Sequence, residues 1–505
     1  MNKRASLVVM DNKDNDLDNN LLRPTAPINS TVTVLLSETE ESVVATSVSS
    51  SASSSTTGTE EEEEGSQFLE QDNDIAETNA AGTTVKEACT SALKSTQCQP
   101  TALSESSATS ATNAFSAASA VTMQSCVQRE TRTGIVHEAG AGHFDRSNRL
   151  HKERMERVLS IVEALENDTL LDRCHSLGSE PAAVDFLEDQ DYLRVHLPGY
   201  MQRLSNFANC SCKQLDCEAA QYESIFLTDQ STLEAKRAAA SLCTLVSQVV
   251  KGKLDNGFAV IRPPGHHAEP GLAGGYCLIN NVAVAAAFAR ARLGVQKVLI
   301  VDWDIHHGNG TQSIFWNDPN VMYFSVHRWH GGNFYPFLPH GGPMAVGGGA
   351  GTGYNVNVGW TRKGIGDEEY FAVWERLLMP MAREFQPDLV LVSSGFDGAA
   401  GDMGECEVSP ECFHLLTAAL LSLAKGRVVC ALEGGYVRSV LQSCVKAVVR
   451  ALLDPSSPQK YEQCESDALQ ERKGVDILEA IDCSAAKSIR ATQKAHSLYW
   501  KCLIG

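Results

Sequence analysis

The sequence predicts an α/β protein of three layers, with a central, mostly parallel sheet between two layers of helices. Three observations carry the prediction. Five short runs rich in Val, Ile and Leu recur: GFAVI (257–261), KVLIVD (297–302), VMYFSV (321–326), DLVLVSS (388–394) and RVVCALEGG (427–435). Near-continuous apolar strands of this kind belong to a sheet covered on both faces. Helical stretches such as VAVAAAFARARLG and EEYFAVWERLLMPMAREF lie between several of them, the alternation of strand-helix-strand units. Each run also ends in a polar cluster, and in such sheets ligands bind at the carboxyl ends of the strands, where the loops converge.

Globular structure is expected from about residue 131 to 505. Residues 1–130 are rich in Ser, Thr and Ala, with SSSASSSTTGTEEEEEG at their centre, and bury too little apolar surface to offset the entropy of ordering. They read as a disordered Ser/Thr/Glu-rich tail. The composition changes at TGIVHE, from Thr133. NRLHKERMERVLSIVEAL (148–165) places Met155, Val158, Leu159, Val162 and Leu165 at helical spacing, and LEAKRAAASLCTLVSQVV (233–250) reads as a second helix. AAKSIRATQKAHSLYWKCL reads as a terminal helix docking on the domain.

The formal charge is -20, but residues 1–130 hold 19 acidic against 7 basic side chains, so most of the acidity belongs to the tail. No polybasic stripe appears, which argues against direct nucleic-acid binding and makes cations the expected charged partners. The apolar run near the N-terminus stops at Met10, too short for a signal-peptide core. No stretch approaches the ~18 apolar residues of a membrane span. A soluble protein, neither secreted nor membrane-bound, is the expectation. The 16 cysteines are scattered, which favours reduced thiols. The one local cluster, CSCKQLDC (210–217), offers no fourth ligand for a metal.

The strand ends carry the chemistry. VDWDIHHGNG supplies Asp302, Asp304, His306 and His307. In an extended segment alternate side chains share a face, so Asp302, Asp304 and His306 can point together with His307 turned away. Asp397, in SSGFDG on a separate strand, supplies a third ligand for a catalytic zinc that keeps one position open. Tyr436, after Gly434-Gly435, is placed to donate to an oxyanion, with packing at a strand end as its alternative role. In RPPGHH, the prolines fix the backbone, Gly265 permits a sharp turn, and His266 and His267 stand at the rim above the metal. A neutral imidazole there can take a proton from water and return it to a leaving amine, with Asp302 orienting one of the pair. Two buried structural histidines are the alternative.

RPPGHHAEP, GGYCLINNVAVAA, VDWDIHHGNGTQ, VSSGFDGAAGD and ALEGGY together resemble the zinc-dependent class II histone deacetylases, which have an arginase-like α/β fold. The resemblance runs from about Thr133 to YWKCL. It implies Asp304, His306 and Asp397 as zinc ligands, His267 as general base and acid, His266 as its electrostatic partner on Asp302, and Tyr436 as oxyanion donor, as in the active, tubulin-type (class IIb-like) branch. It also implies structural potassium at Asp302, Asp304, His306, Ser325 and Val326, and at a second site near Phe315, Asp318, Val321 and Tyr354. A tunnel for the acetyl-lysine stem would be lined by Gly275, Tyr276 and Tyr335, with Asp229 gripping the substrate backbone. Implied partners are acetylated histones or other acetylated proteins and a corepressor-type complex, in the nucleus, the cytoplasm or both, with roles in chromatin regulation and transcription repression.

Some positions depart from the family pattern. Tyr276 and Tyr335 replace tunnel phenylalanines, the His-Pro-Glu motif reads His151-Lys152-Glu153, and Asn309 replaces the aspartate of class I members. Three other functions compete with protein deacetylation. Acetylpolyamine hydrolysis would use a rim glutamate, for which Glu405 lies one position late. A catalytically weak scaffold that binds acetyl-lysine would not need His266, His267 and Tyr436. A manganese ureohydrolase would need further Asp/His ligands that the sequence lacks.

Overall fold

The computed structural model describes residues 130–178 and 186–504; the expected tail falls, but for Glu130, outside them. Eight strands form one sheet: β1 (Thr133–Glu138), β2 (His175–Ser176), β3 (Asn256–Ile261), β4 (Val298–Asp302), β5 (Val321–Arg328), β6 (Asn355–Trp360), β7 (Leu389–Ser394) and β8 (Val428–Leu432). Their order is β2-β1-β3-β8-β7-β4-β5-β6, and every pairing is parallel. All five expected strands are present. β1 with the two-residue β2 extends the sheet at one edge and β6 at the other, and NVNVGW of β6 has only two valines to mark it.

Alternate residues of β3, β4 and β7 enter opposite cores. Phe258 and Val260, Leu299 and Val301, and Val390 and Val392 face one side; Ala259 and Ile261, Val298 and Ile300, and Leu389 and Leu391 face the other. Helices Ser231–Val250 and Asn281–Leu293 cover the second face, and Glu156–Asn167, Pro410–Leu420, Arg438–Leu453 and Cys483–His496 contribute to the first. Each fully buried aliphatic side chain is worth about 1.5–3 kcal/mol, so both faces must be covered, as the uninterrupted runs predict. Helix Asn281–Leu293 starts where the Asn280 side chain accepts from Ala283 N–H and ends at Gly294, φ 74°. EEYFAVWERLLMPMAREF is helical from Asp367 to Phe385, with a π turn at Trp374–Leu378 just before Pro380. Proline has no N–H for the α ladder, and the widened turn lets the rod continue.

The first expected helix is corrected in both start and face. It runs Glu156–Asn167, with Val158, Ile161, Ala164 and Leu165 buried, while Leu159 is 49% and Met155 37% exposed. The cause is Arg157, which points inward. Its guanidinium donates to Gly435 O (2.6 Å) and Glu433 O (2.5 Å) and meets Glu153 (3.3 Å). Burying a cation costs several kcal/mol unless it is matched in this way.

No helix among the described residues is long and apolar enough to cross a membrane. Cys210, Cys212 and Cys217 are free thiols and sit on or beside a surface helix.

The terminal helix docks as expected, and Trp500 beyond it packs on Tyr354 and Phe385 and donates to Gly353 O (2.8 Å). His496 is fully buried there, and burial holds its imidazole down at about 4 from 6.5. The unfolded chain therefore binds a proton that the native state refuses. Stability from this group is complete above about pH 6.5 and is lost as pH falls toward 4. His496→Phe should gain about 2 kcal/mol relative to the wild type between pH 7 and pH 5. Unfolding measured at both pH values tests this, and a difference that does not change with pH refutes it.

Candidate metal centre and active site

β4, β7 and β8 end side by side, with Asp302 opposite Ser325 on β5 and Ser393 on β7, and Ser394 opposite Leu432 on β8. The loops leaving these ends bring Asp304, His306 and Asp397 together, with one ligand atom from each lying within 4.8 Å of the others. His306 Nδ1 lies 3.0 Å from Asp397 Oδ2 and 3.2 Å from Asp304 Oδ1. Backbone N–H groups fix the carboxylates: Gly434 donates to Asp304 Oδ2 (2.8 Å), His306 to Asp304 Oδ1 (2.9 Å) and Ile305 to Asp397 Oδ1 (3.0 Å).

Two glycines make room for this set. A Cβ on Gly395 would come within 2.0 Å of Asp304 Oδ2, and one on Gly434 within 2.4 Å of Asp397 Oδ2. Burial pushes the Asp397 carboxyl up to about 6, with Asp304 adding to it. Against its own burial, His306 is raised to about 9 by Asp397 and Asp304. Two carboxylates and one imidazole in a pocket that favours positive charge fit a tetrahedral zinc with an open position.

Asp302 does not point with them. β4 ends at Asp302, so strand alternation no longer governs the residues after it. Its Oδ2 accepts instead from Tyr323 OH (2.9 Å) and pairs with His266 Nδ1 (3.1 Å). His307 turns away, as expected, toward Gln312 (3.0 Å) and the His327 ring. Burial disfavours a charged His266, but Asp304 and Asp302 outweigh it and raise the group to about 10. The His267 ring lies 4.0 Å from that of His266, tilted by 51°, and its Nδ1 meets Asn309 Oδ1 at 2.8 Å. Burial, with His266 and His306 adding to it, drives His267 well below its ordinary value.

Glu433 supports this corner. Fully buried, it accepts from Gly265 N–H (2.7 Å) and His266 N–H (3.2 Å). Gly265 is required by close approach rather than by a left-handed turn, because a Cβ would meet Asn281 N at 2.5 Å.

Tyr436 is gripped from three sides. Asp402 accepts its N–H (2.9 Å) and that of Val437 (2.7 Å), the Arg157 guanidinium lies 4.9 Å from its ring centroid, and the Tyr276 ring stands 6.1 Å away at 79°. Burial raises its phenol well above the ordinary range, which keeps it a donor. Tyr276 (φ 68°) follows Gly275 (φ 52°) in a tight GGYC loop, where a Cβ on Gly275 would strike His267 at 2.3 Å. Tyr335 stands edge-on to His267 (5.0 Å) and His306 (5.9 Å). Gly275 and Tyr335 thus lie against His267, Tyr335 also against His306, and Tyr276 against Tyr436. Asp229 is exposed just before helix Ser231–Val250; the residues of its loop that touch this wall are Glu223 and Ser224, whose carbonyls accept from Gly275 and Tyr276.

Ser325, buried, contacts His327 Nδ1 (2.7 Å) beside Val326. The Phe315 carbonyl accepts from Asp318 N–H (3.0 Å), that of Asp318 from Val321 (3.4 Å), and that of Tyr354 from Tyr323 (2.9 Å). These positions occupy the turn between helix Asn309–Phe315 and β5 and the residue just before β6.

Glu433 and Tyr323 were not read from the sequence, and neither were three further supports. Glu153, in the altered His-Lys-Glu triplet, is fully buried and binds Arg262 of RPPGHH through both oxygens, each at 2.7 Å. Asp402 closes the tyrosine loop. Arg328 touches both ligand-bearing segments: its N–H donates to Ile305 O (2.9 Å), and its guanidinium donates to Gly404 O (2.9 Å), whose own N–H binds Asp397 O (2.7 Å). The guanidinium also lies 4.1 Å from the Phe334 ring, which stacks on His306 at 5.2 Å and 9°. A planar guanidinium serves both contacts at once, and an ammonium does not. Arg328→Lys should therefore raise zinc loss to a chelator about tenfold or more. Retention equal to that of the wild type refutes this assignment.

Residues 151–452 match the family model described as histone deacetylase domain. The chain is 42% identical over 335 residues to histone deacetylase 5 of Arabidopsis thaliana, covering 65% of this chain and 50% of that protein. It is 42% identical over 334 residues to histone deacetylase 18 of the same plant, covering 64% and 48%. With polyamine deacetylase HDAC10 of Homo sapiens it shares 38% identity over 353 residues, covering 70% and 50%. The chain thus spans about half the length of these relatives. With the family model matching more than half of its length, on an eight-stranded parallel sheet whose strand ends gather these motifs, the chain belongs to the histone deacetylase family.

Proposed function

We propose that this chain is a zinc-dependent amidohydrolase that removes acetyl groups from lysine side chains of histones or other proteins, with residues 131–505 as its catalytic domain. The observation that carries the reading is the convergence of Asp304, His306 and Asp397 beside His266, His267 and Tyr436. Zinc, when bound by those three ligands, polarises the amide carbonyl and acidifies water.

The side chains supply the rest. His267 takes a proton from the attacking water through Nε2 and returns it to the leaving lysine amine. His266, on Asp302, is its electrostatic partner, and the Tyr436 phenol donates to the oxyanion. Gly275, Tyr276 and Tyr335 line the path of the lysine stem, with Asp229 as the acidic contact to the substrate backbone. Potassium is proposed at Asp302, Asp304, His306, Ser325 and Val326, and at Phe315, Asp318, Val321 and Tyr354. Association with a corepressor-type complex, in the nucleus or cytoplasm, belongs to the same reading.

Relatives named as polyamine deacetylases keep acetylpolyamine hydrolysis as a second reading. Glu405, the candidate rim carboxylate, is paired with Lys363 and with Arg328 (3.1 Å). Its charge is already matched, which favours an acetyl-lysine peptide over a polycationic amine. The peptide should show the higher kcat/KM when compared with N-acetylspermidine, and the reverse order would overturn the substrate assignment. Tyr436→Phe should keep its zinc and lose about 10²–10³ in kcat; near-normal turnover would remove Tyr436 from the chemistry.

A further inference from the structure

The geometry points to Glu269 as a positioning residue that selects the tautomer of His267, an inference that rests on the proposed role of His267 in moving the proton. A side-chain amide presents an acceptor at one end and a donor at the other, and either end can face an imidazole. Asn309 is fixed by its second partner. Its Nδ2 lies 2.8 Å from Glu269 Oε1, and its Oδ1 lies 2.8 Å from His267 Nδ1.

An ionised carboxylate only accepts, so Glu269 must take the amide N–H and turn the amide oxygen toward the ring. Facing an acceptor, His267 Nδ1 must carry the proton, which leaves the lone pair on Nε2. The opposite amide orientation would set oxygen against carboxylate at Glu269. It would also offer a donor to Nδ1, placing the ring proton on Nε2, where the base must be empty.

Glu269 itself is held on the histidine loop, with its N–H on Leu272 O (2.9 Å) and its carbonyl on His196 Nδ1 (3.1 Å). An aspartate at position 309 would accept from Nδ1–H without outside help. With asparagine there, the carboxylate that orients the base is displaced by one side chain.

The test uses the zinc-loaded full chain with Glu269→Gln, Asn309→Asp and the double variant. A glutamine side chain has its own donor and no longer dictates the amide orientation, so Glu269→Gln should lower kcat at least about tenfold, with KM and zinc content near wild type. Asn309→Asp alone faces the Glu269 carboxylate and should also lose activity. The double variant, with the same net charge as the wild type, should recover kcat to within about threefold of it.

A merely structural Glu269 gives no such recovery. A double variant at or below the weaker single variant overturns the inference, as does Glu269→Gln with unchanged kcat. A wild-type protein that binds zinc but leaves acetyl-lysine intact sinks the proposed function itself, and the inference falls with it.

Discussion

Buried negative charge governs this molecule. Asp302, Asp304, Asp397 and Glu433 are all at most 1% exposed, and they gather at the carboxyl ends of adjacent parallel strands. Carboxylates cannot be placed in a low-dielectric interior without compensation. Each is met by backbone N–H groups, a serine or tyrosine hydroxyl, or an imidazole, and the pair Asp304 and Asp397 still favours a cation between them. The glycines at 395 and 434, the two histidines on one loop and the stack beneath His306 all follow from that demand.

A second layer keeps the first in place. Glu153 joins Arg262, at the entry to the histidine loop, to Arg157, which holds the carbonyls of Glu433 and Gly435 next to Tyr436. The histidine loop and the tyrosine loop are therefore tied through one buried carboxylate, which Arg262 above all holds down at about 2 against its own burial. On the far side, Arg328 joins the carbonyl between Asp304 and His306 to the loop after Asp397. The candidate site residues follow the ends of β3, β4, β7 and β8, yet three buried arginines link these segments into one frame.

Much of this was legible in the chain. Near-continuous apolar runs mark the central strands, and the repeated coincidence of a strand end with Asp, His or Tyr marks the candidate site. Asp304, His306, Asp397, His266, His267 and Tyr436 were all named from their motifs, and the structure brings them together. What escaped were partners whose meaning depends on distant chain. Glu153 is 109 residues from Arg262, Arg328 is 76 residues from Gly404, and nothing local in either marks it as buried. Asp229, matched by resemblance to an acidic residue that grips the substrate backbone, is exposed in the loop whose Glu223 and Ser224 carbonyls accept from Gly275 and Tyr276.

Strand periodicity, the helices between strands and the identity of the reactive side chains depend on residue type and short-range spacing, so the chain carries them before it folds. Packing in three dimensions chose which carboxylates converge on His306 and which one pairs with His266, which face of helix Glu156–Asn167 turns inward, and which way the Asn309 amide points. Those choices turn on angles and distances between segments far apart in the chain, set when the buried charges find their partners and fixed by no local pattern.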